Sequence, residues 1–178
     1  MPTLVTPRLR LRPFTETDLE DVWVYASDPE VSRWVKWDTH RSLDDTRAFL
    51  RWTVDAYNLP EPSTWAIADV ATDRVIGSIG WASWHPTHGR GEIGYVLARH
   101  AWGRGLATEA VRAVIRYGFE QLELHKITAH CHVQNIASRR VLERVGMQIE
   151  GTLREHLFLK GKWWDLHVMA TLRRAWRG

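Results

Sequence analysis

The stretch from Glu92 to Ala110 constrains the fold more than any other part of the chain. Ile93, Tyr95 and Leu97 alternate with Gly94, Val96 and Ala98, an apolar pattern that suits a buried strand. His100-Ala101-Trp102-Gly103-Arg104-Gly105 comes next, and from Leu106 onward Ala110, Ala113, Val114 and Tyr117 recur at helical spacing. Two glycines therefore stand where a strand hands over to a helix. The first turn of a helix has backbone N–H groups without partners and carries partial positive charge. Glycine, lacking Cβ, lets an anion approach that backbone closely. The turn is built to hold an anion, and a pyrophosphate suits it best. A P-loop would need a lysine after its second glycine, where Leu106 stands. A dinucleotide fingerprint would want a third small residue at Thr108 and would open the first βαβ unit, whereas this turn lies past the middle of the chain. The glycine turn alone leaves the family open.

A second segment decides it. Asn135-Ile136-Ala137-Ser138-Arg139-Arg140-Val141-Leu142-Glu143-Arg144-Val145-Gly146-Met147 follows the strand-like Lys126–Val133. Together with the glycine turn, it resembles the GNAT superfamily of acyl-CoA N-acyltransferases, and within it the RimJ/RimL-like branch. The family's Q/R-x-x-G-x-G/A turn is matched with His100 in the first position. Its N-x-x-S-x-R-x-x-E-x-x-G-F motif is matched from Asn135 to Gly146, with Met147 replacing the aromatic. Thr6-Pro7-Arg8-Leu9-Arg10-Leu11-Arg12-Pro13, Glu92-Ile93-Gly94-Tyr95 and the close from Glu150-Gly151 to Gly161-Lys162-Trp163-Trp164-Asp165 also look like that branch.

At 178 residues with 44% hydrophobic side chains, the chain is expected to form one domain over residues 1–178 with its own core. A formal net charge of +3 is too slight for nucleic acid and suits an anionic cofactor. The one cysteine, Cys131, excludes an internal disulfide and fits a reducing cytoplasm, the expected location. No signal-like or membrane-spanning run is read, so no membrane partner is expected. Among eleven tryptophans most should serve packing, and a few could line a substrate pocket.

Leu9 and Leu11 alternate with Arg8, Arg10 and Arg12 as a half-exposed first strand. Thr15 and Asp18 read as a capping box opening a helix with Leu19, Val22 and Ala26 inward. Ser42 and Asp45 open another, with Ala48, Phe49 and Trp52 facing inward, and 28–41 between them reads as a loop. Trp65–Val70 and Arg74–Trp84 suggest a hairpin around Asp73. Gln148–Leu153, Leu157–Leu159 and Trp164–Leu172 suggest three last strands. The order β-α-α-β-β-β-α-β-α-β-β is that of a mixed α/β sheet with helices on both faces. The resemblance implies a largely antiparallel twisted sheet with one splayed parallel pair.

The resemblance further implies acetyl transfer from acetyl-CoA to a primary amine, either a protein N-terminus or a small-molecule amine, by direct attack in a ternary complex. Turn residues Gly103, Arg104, Gly105, Ala107 and Thr108 would hold the pyrophosphate. Val96 and Leu97 would pair with the pantetheine arm and stabilise the oxyanion. Asn135 reads as a helix N-cap that also reaches the cofactor. The tyrosine that many relatives use to protonate the thiolate is Leu142 here, and the resemblance implies Ser138 instead as that proton donor and as a cofactor contact, the alternative being an N3 residue that satisfies local backbone. Glu92 is the candidate base, or else a carboxylate paired with Arg90 or Arg99. Trp34, Trp37, Trp164 and Asp165 are candidate acceptor contacts, with Asp38 a second acidic candidate and rim or dimer packing the alternative for the tryptophans. A homodimer stays open. His130, Cys131 and His132 alternate across a strand, which splits them between faces and gives no metal site. The competing reading is a catalytically silent acyl-CoA-binding module acting as a sensor or partner protein.

Overall fold

The structure, a computed structural model, describes residues 1–59 and 63–177. Strands β1 (Leu4–Val5) and β2 (Leu9–Arg12) precede helices α1 (Leu19–Ala26), α2 (Pro29–Ser32) and α3 (Leu43–Ala56). Strands β3 (Thr64–Asp69), β4 (Val75–His85) and β5 (Arg90–Leu97) follow, then helix α4 (Leu106–Glu120) and strand β6 (Lys126–His132). Helix α5 (Ile136–Arg144), β7 (Gln148–Leu159) and β8 (Lys162–Leu172) complete the order. The eight strands form one open mixed sheet in the order β1-β2-β3-β4-β5-β6-β8-β7. Strands β5 and β6 are parallel, whereas β1–β2, β2–β3, β3–β4, β6–β8 and β7–β8 pair antiparallel.

The chain divides into two compact units. The first contains Met1–Trp81 and Tyr95–Ala110. Its core gathers Phe14, Val22, Tyr25, Val31, Leu50, Ala66, Val75 and Ala98, with Trp37, Phe49 and Val96 packed at the margin. Strand β2 follows its sequence pattern, burying Leu9 and Leu11 between half-exposed arginines. The Thr15–Asp18 capping box forms, but it opens a 3-10 turn over Glu16–Asp18 that runs into α1. Asp18 also accepts two bonds from the Arg12 guanidinium, at 2.8 and 2.9 Å, which fastens this turn to β2.

Three sequence expectations need correction. The segment 28–41 is not all loop, because Asp28 caps the short helix α2, with Pro29 at its first position. Helix α3 opens on the Ser42–Asp45 capping box and packs Phe49 against the core as expected, but the rest of its inward face differs. Ala48 is exposed and Trp52 is 67% exposed, while Thr46, Leu50 and Thr53 are buried. Those threonines tolerate burial because the hydroxyl of Thr53 donates to Phe49 O and that of Thr46 bonds His40 Nδ1. A hydrophobicity pattern alone overlooks satisfied hydroxyls. Lastly, Gln148–Leu153 and Leu157–Leu159 are one strand, β7, whose register shifts between Leu153 and Leu157.

The second unit contains Ala82–Gly94 and the chain from Val111 onward. Val114, Ile115 and Phe119 of α4 are buried, as are Ile127, Ala129 and Cys131 of β6 and Leu166 and Met169 of β8. The β7–β8 hairpin turns at Lys160 (φ 52°) and Gly161 (φ 77°), a pair of positive φ values that matches the twist of a tight hairpin.

Within the first unit, β4 comes very close to β5 at Gly77. A Cβ there would collide with the Val96 carbonyl oxygen and stand 2.8 Å from Leu97 Cδ2 and 2.9 Å from Leu97 Cα. Backbone cannot yield as a side-chain tip can, so Gly77→Ala should destabilise the protein by about 1–3 kcal/mol. Gly151→Ala, where a Cβ meets nothing within 4 Å, is the control and should stay within ~0.5 kcal/mol. Urea unfolding of both variants measures the difference; equal stabilities would refute the close-approach account.

Candidate active site

In the first unit, β5 ends in a turn shaped for an anion. The Ala98 N–H donates to Ile76 O at 2.8 Å, fixing the end of the strand, and the Trp102 indole N–H donates to Leu97 O at 2.8 Å. Gly103 and Gly105 then take φ of 72° and 76°, left-handed values that favour glycine. A Cβ at Gly103 would meet nothing within 4 Å, so the turn is open on that side. The bond from Glu109 N–H to Gly105 O, 3.1 Å, starts the ladder of α4. The N–H groups of Leu106, Ala107 and Thr108 precede it and have no intrahelical acceptor. The Thr108 hydroxyl is buried without a hydrogen-bond partner among the described residues. An open glycine turn, three leading N–H groups and an unsatisfied hydroxyl together fit a pyrophosphate. Arg104, between the glycines, is exposed.

The strand leading into this turn is also visible. The parallel ladder joins Arg90, Gly91 and Glu92 to Lys126, Ile127 and Thr128, whereas β5 runs on to Leu97 and β6 to His132. Tyr95–Leu97 thus lie beyond the residues that this ladder joins. Val96 is half-buried at the core margin. Leu97 is buried, and its carbonyl already serves Trp102, a role the sequence did not reveal. Of the two aromatic acceptor candidates in this unit, Trp34 stacks under the Arg33 guanidinium at 4.8 Å. Trp37 packs at the core margin with its ring 5.6 Å from that of His40.

In the second unit, Glu92 is largely buried, its side chain 17% exposed. Its Oε1 lies 3.1 Å from His130 Nδ1, and Oε2 accepts from the Ser83 hydroxyl at 3.5 Å. A carboxylate that is ionised only accepts, so this contact places a proton on Nδ1, and an uncharged ring in that tautomer would present Nε2 as the lone pair. The ring of His156 lies 6.2 Å from that of His130. In the sequence His130 stands out only as a potential metal ligand, since nothing local links it to a residue 38 positions earlier. His132 turns to a different partner, meeting Trp164 edge-on at 4.5 Å. Burial and the nearby Lys162 charge lower its pKa. Among the described residues no cluster of metal-ligating side chains occurs.

The second motif reads in the structure as the start and stop signals of α5. Asn135 Oδ1 accepts from the Ser138 N–H at 3.1 Å, capping the helix as expected. At the far end, Gly146 (φ 86°) donates to Glu143 O and Met147 to Leu142 O, a Schellman close, with Met147 buried. The Ser138 hydroxyl is hydrogen-bonded to the Cys131 sulfur. Burial nevertheless raises the Cys131 pKa, so the thiol is held protonated. Trp164 is buried, and the Asp165 carboxylate accepts from Glu155 N–H at 2.7 Å. Glu155 has φ 46°, so Asp165 supports the irregular stretch of β7.

The family model described as "Acetyltransferase (GNAT) domain" matches residues 8–148. The chain is 34% identical over 178 residues to "Uncharacterized N-acetyltransferase p20" of Bacillus licheniformis, covering 100% of both. It is 31% identical over 100 residues to the "Ribosomal-protein-serine acetyltransferase" of Escherichia coli (strain K12), covering 56% of each. The crystal structure of a GNAT-family acetyltransferase from Bacillus anthracis superposes with a TM-score of 0.87 at 29% identity, covering 97% of this chain and 99% of that one.

The turn's geometry sets a direct test. Gly105→Glu places bulk and negative charge at a left-handed position in the anion cradle. The variant should lose the rise in Tm that CoA gives the wild type by mass action. A CoA-dependent rise equal to that of the wild type would refute the phosphate turn.

Proposed function

Because the chain belongs to the GNAT acetyltransferase family, in its RimJ/RimL-like branch, and is an acetyl-CoA-dependent N-acetyltransferase, we propose that it acetylates a primary amine, a protein N-terminus or a small-molecule amine, by direct attack in a ternary complex with His130 as the base. The observation that carries this reading is the Glu92–His130 pair. Glu92 acts through the imidazole, fixing its tautomer, instead of taking the proton itself. His130 Nε2 accepts the proton that the amine sheds as nitrogen attacks the thioester carbonyl; the C–N bond forms, the C–S bond breaks and CoA leaves as thiolate.

Direct attack is supported by the one cysteine, because a buried and protonated thiol is a poor nucleophile for an acyl-enzyme. Gly103, Arg104, Gly105, Ala107 and Thr108 are assigned to the pyrophosphate, and Val96 and Leu97 to the pantetheine arm through backbone groups. Asn135 commits its carbonyl oxygen to the cap, which leaves the Nδ2 donor for the cofactor. Ser138 is assigned to the departing thiolate. Trp34 and Trp37, with Trp164 and Asp165, are retained as candidate acceptor contacts, although Asp165 also serves Glu155.

His130→Ala should lower kcat/KM for an α-amine acceptor by about 10²-fold near neutral pH. The loss should shrink above about pH 8, where the acceptor is already neutral without help. Glu92→Gln should show the same pH-dependent rescue with a smaller loss. A uniform loss at every pH would reassign both residues to folding or positioning.

Ser138→Ala checks the leaving-group role independently. Its kcat should fall while acetyl-CoA affinity stays near wild type, because the hydroxyl acts on charge that develops at sulfur. An unaltered kcat would leave Ser138 as a helix residue bonded to Cys131.

A further inference from the structure

We infer that Arg8, held by Glu109 and Thr6, is a positioning residue for the pyrophosphate turn, and that it works by fixing the direction in which the Gly105 N–H points. This rests on the reading of Gly103–Thr108 as the pyrophosphate site.

Thr6-Pro7-Arg8 is the short connection between β1 and β2, and Glu109 lies in the first turn of α4. The Thr6 hydroxyl, the Arg8 backbone N–H and two nitrogens of the Arg8 guanidinium converge on this one carboxylate. The Thr6 hydroxyl donates to Oε1 at 2.7 Å and the Arg8 backbone N–H donates to the same oxygen at 2.9 Å. Arg8 Nε donates to Oε2 at 2.7 Å and Nη2 lies 2.6 Å from it. The Glu109 side chain is 15% exposed. Burial works to raise its pKa, but the Thr6 and Arg8 bonds outweigh that and hold it below the usual range. The result is a carboxylate that stays ionised and a guanidinium tied to it through Nε and Nη2.

The consequence reaches the turn through the other end of the fork. Arg8 Nη1 donates to the Arg104 carbonyl at 2.9 Å, and Nη2 stands 3.6 Å from where a Gly105 Cβ would lie. Arg104 C=O and Gly105 N–H belong to one trans peptide and point in opposite directions. Holding the carbonyl on Arg8 therefore turns the Gly105 N–H away from Arg8, toward the side the cradle offers to an anion. Without that hold, the peptide can rotate more easily, since Gly105 on its far side accepts φ of either sign.

The test compares acetyl-CoA with S-acetylpantetheine, which carries the same thioester but no pyrophosphate. Arg8→Ala should lower kcat/KM for acetyl-CoA about tenfold, the equivalent of one charge-assisted hydrogen bond, and that for S-acetylpantetheine by less than about twofold. Arg8→Lys keeps the charge but not the planar fork, and should resemble Arg8→Ala. If the wild type uses both donors equally well, the phosphate-turn reading itself fails. If it prefers acetyl-CoA and Arg8→Ala keeps that preference, the positioning role is overturned. Equal loss for both donors, or wild-type behaviour of Arg8→Lys, overturns it as well.

Discussion

A parallel pair of strands cannot be closed by a hairpin, and this requirement organises the protein. Strand β6 lies parallel to β5, so the chain must leave the sheet after Leu97 and return through a helix. That crossover is α4. Its N-terminus falls at the end of β5, and unpaired N–H groups come with any such terminus. The proposed anion cradle would therefore be a by-product of topology, which glycines at 103 and 105 make accessible. An antiparallel neighbour at this place would have needed no helix and would have left no helix terminus there.

The same economy appears in the second motif. Asn135 and Gly146 punctuate α5, one capping its start and the other closing its end in a left-handed conformation. Residues that mark a family can thus be local folding signals first. The cap takes only the N–H of Ser138, whose hydroxyl goes to Cys131.

What the sequence disclosed and what it hid divide along one physical line. The strand, glycine turn and α4 were legible because each depends on neighbours a few positions away: alternation in β5, helical spacing after Leu106 and freedom of φ at the glycines. The capping boxes at Thr15 and Ser42 and the cap at Asn135 are equally local. The inward face of α3 was misread because Thr46 and Thr53 are buried through hydroxyl bonds that hydrophobicity does not register. The merger of two expected strands into β7 was hidden because it depends on Asp165 supporting Glu155 from the neighbouring strand. His130 escaped notice as a partner of Glu92, and Thr6 and Arg8 as partners of Glu109, for one reason. Their meeting depends on pairing between segments far apart in the chain. Of the proposed site residues, the turn glycines were therefore the most legible and the Glu92–His130 pair the least.

The two margins of the sheet share a property with a bearing on assembly. At one margin β1 is only two residues long. At the other, β7 carries two register shifts and a left-handed Glu155. Neither offers the long, flat row of free N–H and C=O groups on which another strand can be templated. Both margins thus carry the kinds of blunting that work against copies of a sheet joining edge to edge through backbone pairing.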